Sequence, residues 1–375
     1  MKIPETPEIP EKDSTLALTP RALDLACAKR VLVGFDGFVD EIVTPVAARH
    51  GPAEDYVPFA SIADFAERIA SAGGGRNANI EIVPRLEKLG GNGPILANGL
   101  LSLGGDVRYV GALGTPDVQS LFVDLARATQ AVSLANPGRT MAFEFADGKI
   151  MFGMAQSLED VTYSSLMDAL GEEGLERALD EADALAFVDW TMVPGFTGIL
   201  RGIYDRILPR ISPKDRLFFF DLADPTKRDS NELRTTLELI ALYSRFGRVN
   251  LGLNRKEARQ VLAALGSGAC SESTPLEELA IEIQQRLATE AVVVHTRDCA
   301  ACAEANGTSC EIEVPVCLKP RVFTGAGDHF NAGYLFGRNA GLLPSEAIRA
   351  GALVATAYVT NGFSPDVDCL KTMTA

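Results

Sequence analysis

The feature that most constrains the fold is an alternation of short apolar segments with longer amphipathic ones in the C-terminal half of the chain. Four apolar segments, flanked by stretches of helical periodicity, lie at Ala184–Val188, Leu217–Phe220, Arg248–Leu251 and Ala291–His295. Short, continuously apolar strands between helices are typical of a parallel sheet that helices cover on both faces. The alternation therefore predicts an α/β protein with a mostly parallel central sheet.

The N-terminal half carries strand signals that do not fit such a sheet. Thr140–Phe152, with Asp147-Gly148 near its centre, is typical of a β-hairpin. We therefore expect a small β-sheet lid over one end of the main sheet, formed by residues 35–52, 76–92 and 131–155. The main α/β domain is then predicted to comprise residues 21–34, 53–75, 93–130 and 156–375, after a flexible leader over residues 1–20.

Composition limits the partners of the protein. The net charge of −15 over 375 residues argues against a nucleic-acid partner, which favours a basic face, and against an anionic membrane surface. The seven cysteines are odd in number in a chain that is not small, so a disulfide framework is not expected. No secretory signal or membrane-spanning apolar run is visible. These features together favour a cytoplasmic location.

The segment Thr324-Gly325-Ala326-Gly327-Asp328 indicates the chemistry. Two glycines and an alanine before an apolar helical stretch predict a tight turn at a helix N-terminus, where free N–H groups hold an anion. A carboxylate beside an anion site is useful if Asp328 takes a proton from a hydroxyl while the N–H groups stabilise the group being transferred. The segment is thus consistent with phosphoryl transfer to an alcohol, or with an ordinary helix start whose N-cap is Asp328.

This segment resembles the C-terminal signature of the ribokinase-like (PfkB) carbohydrate and nucleoside kinases. A second segment, Gly90–Gly104, resembles their N-terminal signature, in which a Gly-Gly turn opens a helix that ends at Leu-Gly. A third, Asn254-Arg255-Lys256-Glu257, is similar to their Asn-x-x-Glu motif. The three occur in the order that the family has. The resemblance implies a three-layer α/β/α sandwich with a β lid, ATP and Mg²⁺ as cofactors, and a possible homodimer through the lid.

The resemblance also implies roles for individual residues. Asp328 is the expected catalytic base, and the N–H groups of Gly325, Ala326 and Gly327 the expected anion hole. His329, next to the base, is expected to have a packing or surface role. The expected sugar-binding residues are Asp36, Asp40, Gly90, Gly91 and Asn92, with the choice of Asp36 or Asp40 as main anchor left open. The expected nucleotide-binding residues are Thr296, Arg297, Thr324, Asn331 and Asn361.

The metal site is the least specific part of the sequence pattern. The resemblance implies that Asn254 and Glu257 order water around Mg²⁺, whereas their spacing is equally that of a helix capping box. Three charged residues follow an apolar strand: Asp221, Asp224 and Arg228. They are expected either to contact the substrate or a metal, or to form an exposed, charged loop.

The sequence also departs from the family pattern. Ile95 stands where many members have Asn, Val322-Phe323 stands where members often have Asp-Thr, and residues 296–300 contain no glycine. The second difference makes activation by potassium doubtful, and the first leaves the identity of the sugar open.

We expect ATP-dependent phosphorylation of a hydroxyl group of a small sugar or sugar derivative. One alternative is a nucleoside kinase, which aromatic residues in the lid region would favour: Phe35, Phe38, Phe143 and Phe145. The other alternative is a sugar- or nucleotide-binding protein without catalytic activity.

Overall fold

The computed structural model describes residues 28–52, 54–268, 270–322 and 324–374. The expected leader over residues 1–20 and the first residues of the expected main domain lie outside this range. The strands are β1 (Arg30–Gly34), β2 (Phe38–Arg49), β3 (Tyr56–Pro58), β4 (Ile82–Gly90), β5 (Asp106–Gly111), β6 (Val132–Ser133), β7 (Gly138–Phe145), β8 (Gly148–Met154), β9 (Ala184–Phe187), β10 (Leu217–Asp221), β11 (Arg248–Asn254), β12 (Ala291–His295), β13 (Cys299–Glu304) and β14 (Ser309–Glu313). The α-helices are α1 (Ile62–Ala70), α2 (Asn92–Ser102), α3 (Val123–Ala128), α4 (Tyr163–Glu181), α5 (Phe196–Gly202), α6 (Ser230–Leu242), α7 (Arg255–Ala264), α8 (Leu276–Leu287), α9 (Ala326–Asn339), α10 (Pro344–Asn361) and α11 (Val367–Thr374).

The main sheet confirms the predicted α/β class. Its nine strands run in the order β14-β13-β12-β11-β10-β9-β1-β5-β6, and the pairs from β12 through to β6 are parallel. The four apolar segments of the C-terminal half form β9, β10, β11 and β12. The antiparallel pair β13–β14 at the edge was not predicted, because small residues such as those of Cys299–Glu304 carry little strand signal.

Strand β10 shows why this sheet is covered on both faces. Phe218 and Phe220 point to one side, where both rings pack on Tyr243 with centroid distances of 5.1 and 5.4 Å. Phe219 points to the other side and packs on Tyr334 of α9 at 6.2 Å. Because successive side chains of a strand alternate in direction, a continuously apolar strand can fill two cores. The result is a three-layer α/β/α sandwich.

The small sheet has five strands, with β2 at its centre. β2 pairs with β3, β4 and β7, and β8 forms the edge next to β7. The segment 53–75 was expected in the main domain, but β3 and α1 lie with this sheet, where Phe65 packs on Phe143 at 5.5 Å. Conversely, β6 falls within 131–155 and pairs with β5 of the main sheet.

Helices α9 and α10 lie in close contact on one face of the main sheet, and α9 begins with the Gly-Ala-Gly-Asp segment. A Cβ atom on Gly333 would lie 2.5 Å from the Ala350 carbonyl oxygen, so this helix pair depends on glycine at that position. Among the described residues, none of the helices is long and apolar enough to span a membrane.

We predict that Gly333→Ala destabilises the protein, because the added methyl group must push α9 and α10 apart; the loss should be about 1–3 kcal/mol. A matched control is Gly174→Ala in α4, where the new Cβ would meet only Leu170 at 3.6 Å. That change should be neutral or stabilise by up to about 1 kcal/mol, as for glycine replaced in a helix interior. Urea unfolding measures both. Equal effects at the two positions would contradict the packing argument.

Candidate active site

The turn before α9 has the geometry of an anion site. Gly325 has a φ of +92°, and a Cβ there would lie 3.1 Å from the Tyr358 hydroxyl and 3.3 Å from the Ile95 side chain. The Tyr358 hydroxyl donates to the Thr324 carbonyl at 2.9 Å and so fixes the start of the turn. Since α9 begins at Ala326, the N–H groups of its first turn have no acceptor within the helix. They are available to a bound anion.

Asp328 lies in this first turn and remains partly exposed. Burial of its carboxyl group raises the pKa of Asp328 well above its usual range, and the carboxylates of Asp221 and Asp189 raise it further. A hydrogen bond from the side chain of Asn92 opposes this rise. The structure thus brings together Asn92, from the N-terminal signature, and Asp328, from the C-terminal signature.

The Gly90-Gly91 turn lies between two buried carboxylates. A Cβ on Gly90 would lie 2.4 Å from the Asp40 carboxyl group, and a Cβ on Gly91 would lie 2.5 Å from Asp36 Oδ2. Gly91 also has a φ of +92°, which favours glycine. The two glycines therefore allow Asp36 and Asp40 to approach the same stretch of backbone, where the Gly93 N–H donates to Asp36 Oδ1 at 2.7 Å.

The carboxyl group of Asp36 interacts with that of Asp189, a residue that the sequence analysis missed. Both carboxyl groups are buried, and Asp36 Oδ2 has no donor partner among the described residues. Burial raises the pKa of Asp189 to about 7, while a hydrogen bond from the Met192 N–H and one with Asp36 lower it. Burial, and then the charge of Asp189, raise the pKa of Asp36 well above its usual range. Asp36 Oδ2 is therefore an acceptor that a proton or a hydroxyl donor would satisfy.

Asp221, at the end of β10, belongs to the same group of carboxylates. Its two oxygens accept hydrogen bonds from the Ala223 N–H at 2.8 Å and from Asn331 Nδ2 at 2.6 Å. Asn331 was predicted to contact the nucleotide. Its side chain is instead buried against Asp221, because it lies on the face of α9 that packs on the sheet.

The other two charged residues that follow β10 have partners of their own. Asp224 accepts from Lys256 Nζ at 2.9 Å, and the Arg228 guanidinium stacks over the Trp190 ring at 4.3 Å. Asp221 is thus the member of the loop that faces the site.

Asn254 and Glu257 form the capping box at the start of α7. The Glu257 N–H donates to Asn254 Oδ1 at 3.0 Å, and the Asn254 N–H donates to Glu257 Oε2 at 2.8 Å. Burial raises the pKa of Glu257 well above its usual range, and the charges of Asp221, Asp224 and Asp328 add to this effect. Glu257 therefore caps α7 and also lies beside the other carboxylates of the site.

Beside the α9 turn lies a cavity of about 330 Å³. It includes three predicted residues, Asn254, Thr296 and Arg297, and the backbone of Ala326 and Gly327. Its other walls come from β12, the segment 314–320, α9 and α10: His295, Val314, Pro315, Cys317, Pro320, Phe330, Ala352, Ala355, Thr356 and Val359. The cavity is thus mostly apolar and adjoins the turn that carries the free N–H groups.

Two other residues predicted to contact the nucleotide lie outside this cavity lining. Asn361, at the end of α10, donates to Cys369 Sγ at 3.4 Å. The hydroxyl of Thr324 is hydrogen-bonded to Lys149 Nζ of β8.

Comparison with known proteins identifies the group to which this site belongs. A model of the prokaryotic ketohexokinase family matches residues 19–375. The chain belongs to the prokaryotic ketohexokinase family. It is 27% identical to a ketohexokinase of Haloferax volcanii over 372 residues, which covers 99% of this chain and 96% of that protein.

Solved structures show the same fold. Ribokinase from Thermotoga maritima aligns with a TM-score of 0.59 at 17% identity, over 92% of this chain and 98% of that one. Ribokinase from Cryptococcus neoformans, in complex with ADP, aligns with a TM-score of 0.61 at 17% identity, over 92% and 99%. The predicted ribokinase-like fold and PfkB relationship are therefore confirmed. As a member of the ketohexokinase family, the protein is a sugar kinase, a phosphotransferase with an alcohol group as acceptor.

In this family member, His329 does not have the environment of a second base. Its Nδ1 donates to the Gly325 carbonyl at 2.7 Å, its Nε2 accepts from the Ser364 hydroxyl at 2.8 Å, and its ring stacks on Tyr358 at 3.6 Å. Burial lowers the pKa of His329 to about 4. A neutral imidazole with both nitrogens bonded holds the turn in place and agrees with the expected packing role.

We predict that Asp189→Asn changes how stability of this kinase depends on pH. A folded-state pKa near 7 is higher than the unfolded value, so the stability present at low pH is lost as the pH rises. Between about pH 4 and pH 7 the loss is about 1.4 kcal/mol per pH unit. The variant lacks this titration, so its free energy of unfolding relative to wild type should become more favourable as the pH rises.

Urea unfolding at several pH values measures this difference. Asp117→Asn, at an exposed loop position, is the control and should give a difference that is independent of pH. A flat difference for Asp189→Asn would contradict the prediction.

Proposed function

We propose that this protein transfers the γ-phosphoryl group of ATP to a hydroxyl group of a ketohexose. The observation that carries the proposal is the meeting of Asp328 with the free N–H groups of its own helix start, beside the Asp36 and Asp40 carboxylates. A base, an anion site and a hydroxyl-binding site within one cleft are what transfer to an alcohol needs. The ketohexokinase family model and the Haloferax volcanii relative support the choice of sugar.

In the proposed reaction, Asp36 and Asp40 accept hydrogen bonds from sugar hydroxyls, and Gly90 and Gly91 leave room for the sugar. The acceptor oxygen attacks the γ-phosphorus while the bond to the leaving ADP oxygen breaks. Asp328 takes the proton of the acceptor hydroxyl. Its raised pKa favours it as a base, because a stronger base accepts the proton more readily once it is ionised.

The anion hole is assigned to the N–H groups of Gly325, Ala326 and Gly327, which would hold the transferred phosphoryl group. The nucleotide is placed in the cavity beside them, with Thr296 and Arg297 at its rim. No group of three or more His, Cys, Asp or Glu among the described residues could hold a metal ion. This fits Mg²⁺, which usually keeps several waters and binds through substrate phosphates and one or two carboxylates.

The residues that would hold Mg²⁺ through water are Glu257 and Asn254, with Asp221 nearby. Burial, and then the charge of Asp221, raise the pKa of Glu257, and a cation would relieve the repulsion between these two carboxylates. The ion would neutralise charge on the nucleotide phosphates during transfer.

The positions of the aromatic residues favour a sugar over a nucleoside. Phe35 stacks on Phe187 in the main core at 5.0 Å, and Phe38 belongs to that core. Phe143 and Phe145 pack on Phe65 of α1. The four rings are thus used in packing and are not free to stack on a base.

We propose that two copies associate through the small sheet, as the family resemblance implies. The edge strand β8 has a single neighbour, β7, and three of its apolar side chains are 44–51% exposed: Met151, Phe152 and Met154. An exposed apolar edge strand is a template for pairing with another chain.

The activity test is ADP release from Mg-ATP with ketohexoses, other sugars, sugar acids, polyols and nucleosides. Ketohexose-dependent turnover is expected. Asp328→Asn should lower kcat by roughly 10²- to 10⁴-fold, the usual contribution of general acid–base catalysis, while ATP still binds. Asp168→Asn, at an exposed position of α4, is the control. Turnover with nucleosides alone, or an active Asp328→Asn variant, would contradict the proposal.

For the oligomer, we expect wild type to sediment as a dimer and Met154→Glu to shift it toward monomer, because a charge would be buried at the interface. Phe363→Glu, at a side chain that is 60% exposed outside the small sheet, should leave the sedimentation coefficient unchanged. A monomeric wild type at micromolar concentration would contradict this arrangement.

A further inference from the structure

One face of the small sheet carries a row of charged and polar side chains. Lys88 of β4, Asp40 of β2 and Thr140 of β7 are direct neighbours across three strands. Glu144 has the same orientation as Thr140, because alternate residues of a strand point to one face. Lys149 of β8 pairs directly with Glu144, so it lies on this face too.

This face is directed toward the main domain. Asp40 meets the Gly90-Gly91 turn, and the ammonium group of Lys149 is hydrogen-bonded to the hydroxyl of Thr324. Thr324 directly precedes the turn that forms the anion hole. Lys149 therefore connects the edge strand of the small sheet to the anion hole, across the cleft in which the reaction is proposed to occur.

The ammonium group of Lys149 is hydrogen-bonded to a neutral hydroxyl group, that of Thr324, and feels the charges of Glu144, Asp40 and Lys88. Partial desolvation of the ammonium group lowers the pKa of Lys149, and the positive charge of Lys88 lowers it further. The negative charges of Glu144 and Asp40 oppose this effect. Its hydrogen-bond acceptor is the neutral hydroxyl of Thr324, whereas an anionic oxygen would add Coulombic attraction to the hydrogen bond. A phosphoryl group bound at the adjacent turn would supply such an oxygen.

The other charges of the cleft show what the ammonium group of Lys149 would offset. The turn of α9 lies among five carboxyl groups, of which Asp189, Asp221 and Asp328 raise the pKa of others: Asp36, Asp189, Asp221, Glu257 and Asp328. The transferred phosphoryl group is itself anionic. The ammonium group of Lys149, on the opposite wall of the cleft, would offset the repulsion between the phosphoryl group and the carboxylates of the main domain.

We propose that Lys149 is a catalytic residue whose ammonium group leaves Thr324 and binds the phosphoryl group during its transfer. The inference rests on the proposed kinase reaction. The bond from the acceptor oxygen to phosphorus forms as the bond to ADP breaks, the proton goes to Asp328, and Lys149 stays protonated throughout. Because Lys149 belongs to the small sheet, transfer is fast only when that sheet lies close to the main domain, which also limits the access of water.

The test compares Lys149→Met, Lys149→Arg and Lys88→Met in the full chain, with Mg-ATP and the best acceptor sugar. Lys149→Met should lower kcat by about 10²- to 10³-fold, as for removal of one oxyanion donor, and leave the KM of the sugar within a few fold. Lys149→Arg should recover part of kcat because it keeps the charge. Lys88→Met makes the same change on the same face beside Asp40, so it should affect the KM of the sugar more than kcat.

A second measurement separates a phosphoryl contact from a merely structural latch. ADP with aluminium fluoride imitates the group in transfer, so Lys149→Met should weaken binding of that mixture while binding of ADP alone is unchanged. Equal loss for both ligands, a kcat near that of wild type, or an effect confined to the KM of the sugar would overturn the inference. An inactive wild type would instead count against the proposed function.

Discussion

The site depends on keeping several carboxylates close together at one edge of a parallel sheet. Asp36, Asp189 and Asp221 lie at the carboxyl ends of β1, β9 and β10, which are neighbours in the sheet, and Asp328 begins the helix above them. Beyond the effect of burial, the charges of Asp189 and Asp221 raise the pKa of Asp328, and the charge of Asp189 raises that of Asp36. Ionised groups in such a place oppose folding unless they bind protons, hydrogen-bond donors or cations. The same electrostatic cost favours the uptake of a proton or a cation in the cleft.

The central sheet could be predicted from the sequence because its strands are buried on both faces. Phe218, Phe219 and Phe220 form an unbroken apolar run, and such a run leaves few alternatives to a central strand. Cys299–Glu304 gave no comparable signal, since its strand is held by pairing with β12 and β14. The position of residues 53–75 could not be predicted either, because an apolar residue such as Phe65 can pack on either of the two sheets.

The candidate site was predictable where a residue's role depends on the backbone of its own segment. Gly91 and Gly325 both have positive φ, and their motifs require it. Roles that depend on long-range contacts were not predictable. Asn331 lies three residues after Asp328, a spacing that left open whether it faces the cavity or the sheet, and its contact with Asp221 decides this. Asp189 is an ordinary residue at a strand end until β1 places Asp36 beside it.

Lys149 is the strongest example of a role set by register. In the sequence it belongs to a hairpin whose turn is the most evident feature, and a shift of one residue would move it to the opposite face of the sheet. The pairing of Lys149 with Glu144 fixes it on the face of Asp40 instead. In the proposed reaction, one small sheet would then carry both sugar-binding and phosphoryl-binding groups, so a movement that brings Asp40 toward the acceptor would also bring Lys149 toward the anion hole. Substrate binding and assembly of the charged site would thereby be coupled by the geometry of the sheet itself.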